Sequence, residues 1–299
     1  MRGRLLVVAA AVLWSTSGFF AKAPLFEHWP LEHRGMYLAF WRALFACLFV
    51  APLVRRPRWH AGLIPMVLVF AAMNYMYLTA MTRTTAANAI WLQNVAPAWV
   101  FLIGVFVFGE RVHPGDWTLV LCGMLGVGFI LWFEAQGEQL SGVIFGALSG
   151  IAFAGVVLCM RQLRDQDTAW LIALNLAVTA AVLSPWVVAH GVWPTGTQLG
   201  YLTAFGMLQL GLPYLLFARG VRWISGHEAS GIALLEPILV PVWVFLAWHA
   251  EPTYQPPRWW TYAGGALILT GLVWRYAGAR RGRRREIPPA VDCIPSTGD

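Results

Sequence analysis

The sequence predicts an all-α polytopic membrane protein with ten transmembrane helices, arranged as two inverted five-helix repeats around a central cavity. Three observations carry this prediction. Of the 299 residues, 59% are apolar and only 12% are charged, which leaves too little polar surface to cover a soluble globular domain. The apolar runs are continuous rather than alternating, which favours helices over a β-barrel. A partial repeat with an offset of about 140 residues divides the chain in two.

The candidate spans follow from the length of the apolar runs. A helix needs about 20 apolar residues to cross the hydrocarbon core of a membrane. Breaks at charges, Pro and Gly give ten such runs: 4–23, 35–54, 61–81, 84–108, 115–133, 141–162, 168–190, 197–219, 225–249 and 259–278. The first run also has features of a signal peptide, because Ala21-Lys22-Ala23 resembles a cleavage site, but its length favours a membrane span.

The basic residues indicate how the spans are oriented. If the N-terminus is cytoplasmic, 16 of the 21 Lys and Arg residues fall on the cytoplasmic side and 4 on the other, with Arg42 inside the second span. This bias is typical of the positive-inside rule, so we expect both termini in the cytoplasm. The net charge of +7 is therefore a topology signal and does not indicate a nucleic-acid-binding protein.

Matching positions recur in the two halves of the chain. Pro97 and Pro237 lie 140 residues apart, and Glu110 and Glu251 lie 141 apart. Because each copy holds five spans, an odd number, the copies must be inverted relative to each other, as in many secondary transporters. The predicted units are residues 1–135 for the first repeat, 141–278 for the second, and 279–299 for a basic cytoplasmic tail that we expect to be mobile.

These segments resemble a known family. Residues 84–90, Pro97 and Phe108-Gly109-Glu110-Arg111 look like the fourth helix of an EamA-type unit of the drug/metabolite transporter superfamily. Residues 229–237 through Glu251 look like the same helix of a second unit, although Trp248-His249-Ala250-Glu251 departs from the family's aliphatic-Gly-Glu ending. The resemblance covers residues 4–278, and it is nearest to ten-helix bacterial amino acid exporters of the YddG type.

The resemblance implies a function and a location. It implies a secondary transporter of the bacterial inner membrane that exports amino acids or related small metabolites by alternating access, with helices 1, 3, 4, 6, 8 and 9 around the cavity. The implied partners are a small-molecule substrate and the lipid bilayer, without nucleic acid, an ATPase subunit or a cofactor. Three alternatives stay open: an exporter of drugs or other metabolites, a passive small-molecule channel, and an intramembrane enzyme. No nucleophile–base or metal-binding motif favours the enzyme.

Polar side chains at membrane depth are the candidate binding residues, because each needs a partner or a wet cavity there. The predicted cavity lining consists of Trp14, Ser17, Asn74, Tyr77, Asn88, Trp91, Asn94, Gln209, Pro213 and Glu236. Such a lining suits a neutral or zwitterionic molecule with apolar bulk. Each of these residues has an alternative role as a contact between helices. No catalytic residue and no metal ligand is predicted.

Two charges near the predicted midplane stand out. Glu236 lies 11 residues into the ninth predicted span, where it is either a cation or proton site or a partner for backbone freed by Pro237. Arg42 lies about seven residues into the second predicted span. It pairs with Glu236, binds a substrate carboxylate, or serves only in packing. Proton-coupled export and facilitated diffusion are both compatible with the sequence.

Overall fold

The computed structural model describes residues 1–110, 114–135 and 137–285. All regular secondary structure in that part of the chain is helical. The α-helices are Arg2–Ser15, Ser17–Ala21, Leu31–Val50, Leu63–Arg83, Ala86–Gln93, Ala96–Phe106, Pro114–Glu134, Leu140–Gln162, Thr168–His190, Gly196–Ala204, Leu212–Gly220, Gly226–Ala233, Leu235–Trp248 and Trp259–Arg285. A π-helical stretch, Phe205–Gly211, joins two of them.

Within the described residues, nine helical stretches are long and apolar enough to cross a membrane, which agrees with the predicted all-α polytopic fold. We number them as the first to ninth spans: Arg2–Ala21, Leu31–Leu53, Leu63–Arg83, Ala86–Phe106, Trp117–Glu134, Leu140–Gln162, Thr168–His190, Gly196–Gly220 and Glu228–Trp248. The tenth predicted span falls on the helix Trp259–Arg285, the tenth helix below. That helix continues past the predicted end at 278, and residues 286–299 of the predicted tail lie outside the described residues.

The fourth and ninth spans are both broken near the middle. The fourth is interrupted at Asn94, before Pro97, and the ninth at Leu234, before Pro237. Each proline lies in the first turn of the half-helix that follows, where a missing N–H costs no hydrogen bond within the helix. The prolines therefore fix where these spans break.

The first span is interrupted at Thr16, where no proline is present. The Ser15 hydroxyl donates to the carbonyl of Val12 at 2.7 Å, and the Thr16 hydroxyl donates to that of Leu13 at 2.6 Å. Such hydroxyls compete with the helical N–H groups for the same carbonyls and bend helices. Two consecutive hydroxyl residues thus account for the break.

Glycines let the tenth helix approach the fifth span closely. A Cβ atom built on Gly126 would lie 2.6 Å from the carbonyl oxygen of Gly264, and one built on Gly264 would lie 2.8 Å from that of Gly126. Only glycine at both positions allows the two backbones to touch, as small residues do in membrane helix pairs.

Candidate functional site

Polar side chains from five spans meet near the middle of the bundle. Arg42 is the twelfth residue of the second span and Asn74 the twelfth of the third. We define the central cluster as Ser17, Arg42, Asn74, Tyr77, Gln209, Tyr214 and Glu236. Six of these seven residues belong to the predicted set of cavity-lining or charged residues.

Arg42 is held in place from several sides. Its side chain is only 3% exposed. One terminal nitrogen donates to Gln209 Oε1 at 3.1 Å, and the other donates to the side-chain oxygen of Asn74. The guanidinium also lies over the ring of Phe205, 5.2 Å from its centroid. Gln209 in turn donates to the carbonyl oxygen of Trp14 at 3.1 Å, so this network ties four spans together.

Glu236 lies in the first turn of Leu235–Trp248. Its side chain is partly exposed, and no described residue donates a hydrogen bond to its carboxylate or forms an ion pair with it. The charges of Glu236 and Arg42 act on each other and on the Tyr77 and Tyr214 hydroxyls. The direct Arg42–Glu236 pair considered from the sequence is not formed among the described residues; the terminal nitrogens of Arg42 donate to Gln209 and Asn74 instead.

Hydroxyl groups complete the cluster. Ser17 Oγ and Tyr77 Oη are 2.7 Å apart and share a hydrogen bond, and both side chains are buried. Trp14 contacts the edge of Tyr214, with ring centroids 5.2 Å apart. The sequence analysis did not select Tyr214, and nothing in its local pattern marks it. Only the π-helical stretch before it explains how it comes to face Arg42.

Three of the predicted residues lie elsewhere. Asn88 donates to Thr84 and Glu134 and accepts from Thr261, so every polar group of its amide is used between helices. The ring of Trp91 lies against Gly265 of the tenth helix, and a Cβ there would be 2.7 Å from the indole. Asn94 caps the broken fourth span by donating to the carbonyl of Ile90 at 3.0 Å.

Pro213 is buried at the second position of Leu212–Gly220, next to Tyr214. Its ring has no N–H to contribute to the preceding turn, and the π-helical stretch ends there. Pro213 therefore shapes the eighth span around the central cluster. The described residues contain no group of three or more His, Cys, Asp or Glu side chains that could hold a metal ion.

A cavity of about 1120 Å³ opens at the end of the bundle opposite the N-terminus. We call it the mouth. Both charges and aromatic rings line it. The charged lining residues are Lys22, Glu27, Arg34, Arg83, Glu134, Glu138, Glu251 and Arg258, and the aromatic ones are Phe133, Trp248, Tyr254 and Trp260.

A thin apolar layer separates the mouth from the central cluster. Ala86 and Val244 line the mouth, and Val240 beneath them is fully buried. A Cβ built on Gly18 would lie 2.7 Å from Val244, 3.0 Å from Val240 and 3.2 Å from Ala86. We call these four residues the barrier, since they pack together between the mouth and Ser17, the neighbour of Gly18.

The N-terminal end of the bundle is closed in a different way. Arg4 at the start of the first span forms an ion pair with Glu228 at the start of the ninth. Gly220 lies against Val7, with 2.6 Å from a built Cβ to the Val7 side chain. Arg161 donates to Glu110 at 2.9 Å. These contacts hold together the segments at the N-terminal end of the bundle.

The comparison with protein families agrees with this architecture. The model of the EamA-like transporter family matches residues 1–132 and again residues 140–276. The chain belongs to the EamA-like transporter family. It is therefore a multi-pass membrane transporter. Its two EamA matches divide the chain close to the connection between the fifth and sixth spans.

Several curated proteins are similar over most of the chain. An uncharacterized transporter of Archaeoglobus fulgidus is 26% identical over 280 residues, covering 91% of this chain and 96% of that protein. The pseudopaline exporter CntI of Pseudomonas aeruginosa is 27% identical, covering 79% and 84%. The biotin transporter of Escherichia coli is 22% identical, covering 90% and 91%. A solved crystal structure with 19% identity shares the fold, with a TM-score of 0.63 over 93% of this chain and 98% of that chain.

Proposed function

We propose that this EamA-like transporter exports amino acids or related small zwitterionic metabolites across the bacterial inner membrane by alternating access. One observation carries the proposal. The central cluster holds a partly exposed carboxylate, Glu236, that has no partner among the described residues, together with a buried guanidinium, Arg42, at mid-depth in the bundle. A charge at that depth is costly unless a ligand or water satisfies it.

The chemistry of the cluster suits a ligand with an amino group. An ammonium group neutralises the Glu236 carboxylate and donates charge-assisted hydrogen bonds to it. The hydroxyls of Tyr77 and Tyr214 supply further hydrogen bonds, and Trp14 offers an aromatic surface next to Tyr214. Arg42, fixed by Asn74 and Gln209, balances the charge of Glu236 when the site is empty.

The proposed mechanism needs two similar halves, and the broken helices support this requirement. The half-helices Ala86–Gln93 and Gly226–Ala233 are both eight residues long and start 140 residues apart. Each begins with a hydroxyl cap: Thr85 accepts from the N–H of Asn88, and Ser225 accepts from that of Glu228. We propose that residues 1–135 and 141–278 are inverted repeats whose relative movement exposes Glu236 to each side in turn.

The distribution of basic residues orients the proposed cycle. With both termini in the cytoplasm, the mouth faces the periplasm and the Arg4–Glu228 pair closes the cytoplasmic side. The conformation described above then corresponds to a state after release, with the barrier shut beneath an open mouth. A return step would separate Arg4 from Glu228 and open the cluster to the cytoplasm.

Counterflow in proteoliposomes tests the proposed function. We expect liposomes that contain the purified protein and unlabelled amino acids to take up labelled amino acids at a rate that saturates with external concentration. Preloading should stimulate that uptake, because an alternating carrier returns faster when loaded. A panel of amino acids, biotin and simple amines would define the preferred class. Uptake that rises linearly and ignores preloading would indicate a channel and contradict the proposal.

A further inference from the structure

The mouth contains an ammonium group without a counter-ion. Lys22 caps the C-terminus of the helix Ser17–Ala21, with its N–H bonded to the carbonyl of Gly18 at 2.9 Å. Its side chain lines the mouth. Among the residues that the structure describes, none accepts a hydrogen bond from this ammonium or forms an ion pair with it. The side chain of Lys22 is partly buried, and a partly desolvated charge without a partner gains binding energy when an anion approaches it.

A second cation strengthens the positive field at this point. The charge of Arg34 acts on Lys22. Arg34 cannot turn away, because its side chain donates to the carbonyl oxygen of Trp29 at 2.9 Å and 3.3 Å. Two cations that repel each other inside a cavity attract an anion that lies between them.

Two of the four carboxylates that line the mouth accept hydrogen bonds from other described residues, and the charge of one of them, Glu27, also acts on Arg34. Glu27 accepts a hydrogen bond from the Thr253 hydroxyl. Glu134 accepts from Asn88 at 3.2 Å and from the Trp260 indole at 3.0 Å. Neither carboxylate forms an ion pair with Lys22. No carboxylate in the described part of the chain forms an ion pair with the Lys22 ammonium, so the position beside it is open to an anion.

The position of Lys22 connects the mouth with the central cluster. Lys22 follows Ser17 by five residues, about 7.5 Å along a helix. Aromatic rings stand beside it: Trp248 lines the mouth and stacks on Phe19, with centroids 5.4 Å apart. A ligand that passes the barrier from Ser17 would meet the ammonium of Lys22 with its acidic end and these rings with its apolar part.

We propose that Lys22 and Arg34 form an anion-binding subsite in the mouth that takes the carboxylate group of an exported molecule as it leaves the central cluster. The subsite rests on the proposed function only for the direction of movement, since binding of a carboxylate at Lys22 requires no transport. Its ligand class is an organic carboxylate with an apolar or aromatic body.

Binding of matched probes to the full chain in lipid nanodiscs tests the subsite. We expect 3-phenylpropionate to bind more tightly than 3-phenylpropionamide, which has the same shape without the charge. Lys22→Gln should weaken binding of the carboxylate about tenfold, the usual worth of one charge-assisted hydrogen bond, and leave the amide unaffected. Lys22→Arg should retain the preference for the carboxylate.

The control variant is Arg258→Gln, which removes one positive charge from the exposed rim of the same mouth. We expect it to leave both affinities within about twofold, because an exposed charge is screened by solvent. Equal binding of the two probes by the unmodified protein, or an unchanged carboxylate affinity in Lys22→Gln, would overturn the subsite. Equal losses for both probes would also overturn it, since they would reveal a collapsed mouth instead of a lost charge.

The pH dependence of carboxylate binding to the unmodified protein tests the subsite without relying on a variant that must fold. Burial, together with the charge of Arg34, lowers the pKa of Lys22, which lies just past the first span, to about 8. The other charged groups of the mouth are carboxylates (Glu27, Glu134, Glu138, Glu251) and guanidinium groups (Arg34, Arg83, Arg258). Burial raises the pKa of Tyr254 above its ordinary value.

Because the amine of Lys22 loses its proton as the pH rises, affinity for 3-phenylpropionate should fall between pH 7 and 9.5. In Lys22→Arg it should stay constant, and a fall of the same size there would contradict the subsite. Failure of this proposal would leave amino acid counterflow by the unmodified protein intact. Failure of the proposed function would abolish counterflow while the carboxylate still binds, so the two failures are distinguishable.

Discussion

Replacement of Glu236 by glutamine is expected to reduce amino acid counterflow at least about tenfold, the cost of losing one charged hydrogen bond to a bound ammonium group. The melting temperature should not fall. The carboxylate of Glu236 accepts no hydrogen bond from any described residue, so the fold loses no hydrogen bond, and only the through-space interaction with the charge of Arg42 is removed. Glutamine keeps the shape of the side chain. Loss of transport with an intact fold would separate a binding role from a structural one.

The matched control is Glu32→Gln, which removes an exposed carboxylate from the first turn of the second span, outside the mouth and the central cluster. Its counterflow should equal that of the unmodified protein. If Glu236→Gln retains both the rate and its dependence on a pH gradient, Glu236 neither binds the substrate nor couples to protons. Its place beside Pro237 would then be purely structural.

A graded result would decide between the two roles left open by the sequence. If Glu236→Gln still exchanges amino acids but no longer responds to a pH gradient, the carboxylate carries the proton and not the ammonium group. If both exchange and gradient-driven flux disappear, the carboxylate of Glu236 binds the substrate directly. Arg42 would remain fixed in either case, because its hydrogen bonds to Asn74 and Gln209 do not involve Glu236.

The sequence predicted the fold well because the membrane imposes simple rules. Continuous apolar runs must be helical, and the bounds of the nine spans lie close to those read from composition. The breaks at Asn94 and Leu234 could also be predicted from the sequence, since each precedes a proline. The break at Thr16 could not be predicted from the sequence. A Thr whose hydroxyl bonds to a carbonyl of its own helix looks the same in the sequence as a Thr whose hydroxyl faces solvent.

The site was predicted less well. The periodicity of a sequence shows which residues share one face of a helix, but it does not show which other helix packs against that face. Asn88 and Trp91 share a face of the fourth span, yet that face packs on the fifth span and the tenth helix instead of on Arg42. In the sequence, Lys22 contributed to a segment that resembles a cleavage site and to the four basic residues on the less basic side, and neither observation indicated a binding site. That it lacks a counter-ion depends on distant segments, so spacing alone could not show it.

Replacement of Trp91 by alanine is expected to lower the free energy of unfolding by about 3 kcal/mol or more, the usual cost of deleting a buried indole. Trp91 is 8% exposed and packs with Leu119, Ile130 and Ile268 between the fourth span, the fifth span and the tenth helix. The surviving folded fraction should show an unchanged Km in counterflow, because the ring lies on Gly265 and not in the central cluster.

Tyr77→Ala provides the opposite case. Tyr77 bonds to Ser17 and faces the charge of Glu236, so its removal should raise the Km for an amino acid severalfold. Trp59→Ala removes an indole that is 72% exposed and serves as the control for losing a tryptophan. It should change neither the melting temperature nor the Km in counterflow. Thermal unfolding in detergent and counterflow kinetics measure the two effects independently. A severalfold rise in Km for Trp91→Ala with an unchanged melting temperature would place Trp91 at the substrate and contradict its role between the helices.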